Sequence, residues 1–190
     1  MLFIKILAVI ELAINVWFTG KQDLHGEHTL PIAARVTRET KFLDDQPTIN
    51  PWKLFTKTEA DKIMGQSTHL ADSSSKFKGP SASYLCAYMT DVKDAPTGRT
   101  GAIYFLFEQY QQISDAKKKY ADIMLANKPH GIENINNLGD EAYFHTDKVH
   151  FYFIMVRKGK NVFNIKVNKI TSSTSLKELN KIANRITALI

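Results

Sequence analysis

His145, Asp147 and His150 fall around one predicted turn. Imidazole nitrogens beside a carboxylate are the donors that bind a divalent metal or move a proton. A second cluster, "DLHGEH" from Asp23 to His28, places His25 and His28 three residues apart among carboxylates. Polar residues of these types are also what solvated turns and tethers ordinarily contain, so neither cluster is assigned as a metal site. The single cysteine, Cys86, sits in the strand-like run "SYLCAYM" and reads as a buried, inert thiol. One cysteine excludes an intramolecular disulfide and a four-cysteine zinc site. No HExxH, G-x-S-x-G or phosphate-cradling glycine loop occurs. No catalytic residue, metal ligand or cofactor is therefore assigned, and the chain is not expected to be an enzyme.

The elements that position side chains come next. The chain has 190 residues, 44% hydrophobic and 23% charged, with a net charge of +6. Less a leader, that length suits one domain on the usual prior of roughly 100–200 residues. The basic lean is compatible with anionic partners, but a lysine-rich solvated surface is the better account of it. Nucleic acid is not an expected partner, because "FYFIMVRKG" does not match the basic residue, glycine and spaced aromatics of the RNA-recognition strand, and an export signal argues against it.

The first twenty residues, "MLFIKILAVIELAINVWFTG", carry a positive charge at Lys5, an apolar stretch from Ile6 to Phe18, and small residues at Thr19 and Gly20. That is the layout of a cleaved export signal. Glu11 and Asn15 interrupt the apolar stretch, and a charge there is expensive for a permanent span. An N-terminal anchor and an amphipathic helix retained on the mature chain are the alternatives. Lys21 stands where a lipoprotein needs cysteine. Residues 21–50 show no sustained period and read as a linker, leaving 51–190 as the folded domain.

Thr56 and Glu59 have capping-box spacing, and Gly65 is placed to end the helix. Residues 66–80 read as a polar loop. "SASYLCAYMTD" and "TGAIYFLFEQY" alternate around "KDAPTGR", a hairpin with a longish turn. Ser114 is placed to cap a second helix that Pro129 stops. "EAYFHT" begins a strand. "VHFYFIMVRKGKNVFNIKVNKI" splits at Gly159 into two strands joined by a tight turn. Ser175 and Glu178 open a last helix with Leu176, Leu179, Ile182, Ala183, Ile186 and Leu189 on one stripe. The predicted order is α-β-β-α-β-β-β-α. It implies an α+β fold with an antiparallel sheet of about five strands packed with about three helices.

The strand pattern supplies the binding clue. The last strand alternates Phe163, Ile165 and Val167 with Asn164, Lys166 and Asn168. The strand before it is apolar on both sides, with Val149, Phe151, Phe153 and Met155 opposite His150, Tyr152, Ile154 and Val156, and "AIYFLF" is similar. Such strands need two covers. Helices supply one; a further segment of the chain, a second subunit or a ligand supplies the other. Tyr84, Tyr88, Tyr104, His150 and Tyr152 are the candidate ligand-binding residues, because tyrosine suits a partly wet apolar groove.

"TKTEADKIMG", "SYLCAYM", "NLGDEAYF", "VRKGKNVFNIKV" and "LKELNKIANRIT" together resemble the secreted domains of unknown function found in bacterial lipoproteins. These are similar in layout to the extracytoplasmic sensor domains of some bacterial serine/threonine kinases. The resemblance spans roughly residues 52–190. It implies an extracytoplasmic binding or sensing domain and carries over no active site. The chain departs from the pattern in lacking the lipid-bearing cysteine and in leaving Cys86 without a disulfide partner.

The expected function is thus an exported, non-enzymatic binding or sensing domain, periplasmic, in the cell envelope or extracellular. Its partner would be a small molecule, an envelope component or a protein, with membrane association through residues 1–20 as an option. The alternative is a small metal-dependent or other enzyme.

Overall fold

A computed structural model describes residues 50–79 and 81–190. The export signal, most of the linker and the His25–His28 pair lie outside them. A short 3₁₀ turn at Pro51–Lys53 leads into α1 (Lys57–Met64). Then come β1 (Thr68–Lys78), β2 (Ser81–Thr90), β3 (Ala102–Tyr110) and α2 (Ile113–Asn127). After a second 3₁₀ turn the chain forms β4 (Glu133–Asn134), β5 (Glu141–Thr146), β6 (Phe151–Lys158), β7 (Asn161–Asn168) and α3 (Leu176–Leu189). The strands make one seven-stranded antiparallel sheet in the order β1-β2-β3-β7-β6-β5-β4. The fold is α+β and antiparallel, as the sequence implies, but it has seven strands rather than about five, and its order is α-β-β-β-α-β-β-β-β-α rather than α-β-β-α-β-β-β-α.

Local chemistry explains most elements. The Glu59 carboxylate accepts from both the amide and the hydroxyl of Thr56, and Gly65 closes α1 in the left-handed region at φ +67°. The Ser175 hydroxyl accepts from the Glu178 amide at 3.2 Å and starts α3. β6 and β7 meet through Gly159, whose φ of +57° is what a two-residue hairpin turn demands of its first position.

Three expectations need correction. Residues 66–80 are not a loop: they hold β1, which pairs with β2 from Thr68 to Lys78 except at a β-bulge between Leu70 and Asp72. Its polar sequence shows no alternation because, at the sheet edge, neither face of it is buried. Ser114 is not a cap; α2 begins one residue earlier, after Gln112. Val149 and His150 are not strand residues, because Asp147 captures that segment as a turn. Its Oδ1 accepts from the amides of Val149 at 3.0 Å and His150 at 2.7 Å.

The sheet has unequal faces. On one, Ile103, Phe105, Phe107, Ile154, Val156, Phe163, Ile165 and Val167 are all almost fully buried. Phe55, just ahead of α1, stacks on Phe105 at 5.1 Å, and α3 adds Leu179, Ile182, Ala183 and Ile186. Arg185 of α3 donates to the Leu54 carbonyl at 2.7 Å and so ties the two covering segments together. Among the described residues the other face is covered by α2, with Ile132 from the segment after it. Ala116 and Tyr120 pack on Tyr110, Val162, Met155 and Tyr143, which lie toward one end of the strands.

Candidate functional site

Past the end that α2 covers, no other helix of the described residues packs on the second face. Strand register places Asp72, Ala87, Tyr104, Lys166, Phe153 and His145 in one direct cross-strand row from β1 to β5. The neighbouring row brings Leu85 beside Leu106 and Asn164, and the row beyond brings Met89 beside Ala102 and Asn168. Tyr104, Leu85, Leu106 and Phe153 are only half-buried, and Met89 is 37% exposed. Lys166 is 8% exposed, so its hydrocarbon stem forms part of the floor. An alternating strand puts this lysine on the face its apolar neighbours avoid, and the aromatic side chains on either side bury it. The result is an apolar shelf with a cationic centre, bounded by α2.

His145 closes the row at the β5 end. It is 5% exposed, its ring lies 4.9 Å from that of Phe151, and its Nδ1 bonds the Gly131 carbonyl. A carbonyl only accepts, so Nδ1 carries the proton and Nε2 offers a lone pair. Nε2 has no protein partner among the described residues. Burial pushes the imidazole below the ordinary histidine range, with His130 and Lys166 pressing the same way and the Gly131 carbonyl and Asp147 opposing. A cleft of about 160 Å³ opens beside it, lined by His130, Gly131, Ile132, Phe144 and Lys148 among others.

At the covered end, Glu108 is buried under α2 with Lys119 Nζ 4.0 Å away. Burial raises its carboxyl above the usual carboxylate range, against the pull of Lys119.

The five candidate ligand residues do not share a surface. Tyr104 is on the open shelf. Tyr84, Tyr88 and Tyr152 are on the opposite face, where Tyr84 and Tyr88 are buried and Tyr88 lies 6.0 Å from Phe55. His150 is in the exposed turn after β5, its Nδ1 2.6 Å from Asp147 Oδ2. The expected His145–Asp147–His150 cluster is likewise split, since His145 turns inward to Gly131. Among the described residues no group of three or more His, Cys, Asp or Glu side chains is placed to hold a metal ion. The residues the tyrosine pattern missed are Leu85, Leu106, Phe153 and Lys166. Their parity is legible within each strand, but joining them needs the β3–β7 register.

The fold and shelf define a class: an α+β domain with one sealed and one half-covered sheet face. The chain matches no protein-family model, no curated protein and no solved structure. No helix among the described residues is long and apolar enough to cross a membrane.

Proposed function

We propose that this chain is an exported, non-enzymatic binding domain whose ligand lies along Tyr104, Lys166 and Phe153. One observation carries the reading. One sheet face is sealed by α1 and α3, while on the other half-buried apolar side chains continue beyond α2 around a lysine. A shelf of this composition suits an amphiphile with an apolar body and an anionic head. Export rests on the charge, apolar run and small residues of the first twenty positions.

Two measurements test the two halves of the reading. An apolar anionic fluorescent probe, 8-anilinonaphthalene-1-sulfonate, is expected to bind the folded protein saturably and to be displaced by a fatty acid. A folded protein that leaves the probe dark rules out the shelf as a site. Expression of the full chain in a bacterial host, followed by fractionation and intact mass, is expected to yield a periplasmic product lacking roughly its first twenty residues. An uncleaved cytosolic product overturns the export half alone.

A further inference from the structure

β1 contributes almost nothing to the core. Of its 11 residues only Thr68 is buried, and His69 to Lys78 are exposed apart from half-buried Ser74. Its inner rim pairs with β2, and among the described residues no strand pairs with its outer rim. Natural edge strands are usually short or covered, because an open rim of amides and carbonyls templates further pairing. This one is long. Its base is anchored firmly: Asp61 Oδ1 accepts from both the amide and the hydroxyl of Thr68 at 2.7 Å, and His69 lies 2.7 Å from Asp91.

The sequence of the rim is close to self-complementary. "LADSSSKFK", Leu70 to Lys78, places an acid and a base at equal distances either side of Ser74. Asp72 and Lys76 are on the same face, since their β2 partners Ala87 and Ser83 are both on the α2 side.

We propose that β1 pairs with β1 of a second copy of this chain, antiparallel about a two-fold axis through Ser74, so that the two sheets join edge to edge. Asp72 of each copy then faces Lys76 of the other, and Ser73 faces Ser75. The β-bulge between Leu70 and Asp72 ends the regular ladder beyond these central pairs. Three consecutive serines at the centre allow close approach. The contact is isologous, so every pair occurs twice. A slip of one residue would oppose side chains from different faces and is forbidden. The axis runs perpendicular to the sheet and sets both open shelves on the same side of the dimer. The proposal stands whether or not the shelf binds a ligand.

About five regularly paired residues a side, Asp72 to Lys76, bury less than the ~1,200 Å² of a standard interface. The dimer should therefore dissociate in the micromolar range. Sedimentation velocity of the full chain across that range is expected to show reversible monomer–dimer exchange. Asp72→Lys and Lys76→Asp each replace two attractive pairs with two repulsive ones and should weaken the dimer about tenfold. The double reversal should return it to near wild-type affinity. Thermal melts of the single variants should match the wild type, since both residues are exposed in the single chain. A monomer at every concentration overturns the proposal. So does a dimer that the single reversals leave unmoved, or one that Lys78→Asp rather than Lys76→Asp restores in the Asp72→Lys background.

Discussion

Tyr104 and Tyr152 pair across the strands with adjacent residues of β7, Lys166 and Val167, and therefore stand on opposite faces of the sheet. One tyrosine borders the open shelf and the other is on the face that α1 and α3 cover. Tyr104→Ala is expected to raise the dissociation constant of the anionic probe about threefold to tenfold, from the loss of one aromatic surface. Tyr152→Ala should leave it unchanged. Fluorescence titration of both variants, with melts to verify folding, makes the comparison. Equal effects would place the probe elsewhere.

Cys86 is 5% exposed, and burial pushes its thiol up to about 12. Only the thiolate is nucleophilic. Native protein at neutral pH is therefore expected to resist Ellman's reagent and to react fully once denatured. Rapid labelling of the native protein would show that this part of the sealed face opens.

His145 should tie stability to pH. Burial disfavours its charged form, so the unfolded chain binds the proton more tightly than the folded one. Stability from this group is complete above the ordinary value of 6.5 and falls as pH drops below it, levelling off once the lowered folded value is passed. Urea midpoints are expected to decline on acidification from about pH 7 to pH 5. His145→Gln should flatten that decline.

Gly65 and Gly159 share a left-handed backbone but not a neighbourhood. A Cβ at Gly65 would sit 2.2 Å from the Ser173 carbonyl oxygen, whereas one at Gly159 meets nothing within 4 Å. Gly159→Ala is expected to cost the conformational strain alone, about 1–2 kcal/mol. Gly65→Ala should cost more than about 2 kcal/mol, because the loop that docks on the end of α1 must also move. That loop is held by the Ser173 hydroxyl on the Met64 carbonyl at 2.9 Å and the Ser175 amide on the Ile63 carbonyl at 2.7 Å. Urea denaturation of the two variants measures the difference.

The helices and hairpins were legible because their signals are local. Thr56 with Glu59, Ser175 with Glu178, and Gly159 between alternating runs each act within a few residues. β1 was not legible, because this edge strand buries only Thr68 and so leaves no hydrophobic period; only its ladder to β2 makes it a strand. β4, two residues long, is likewise set by its pairing to Phe144 and Tyr143 of β5. Of the five candidate ligand residues, Tyr104 alone lies on the face that α2 half-covers. Tyr84, Tyr88 and Tyr152 were grouped with it because residue type carries no record of which face a distant strand presents.

By itself the sequence determined the α+β class, the antiparallel hairpins, the parity of side chains along each strand, and the apolar stripe of α3. These follow from periods of 2 and 3.6 and from caps that act within one turn. The tertiary structure alone decided which face is sealed and which is open. Pairing β3 with β7 joins residues about sixty positions apart, which no local pattern encodes. That one register turns Tyr104, Lys166 and Phe153 into neighbours. The placement of α1 and α3 together on the opposite face, with α2 the one helix of the described residues on this one, leaves them half-covered.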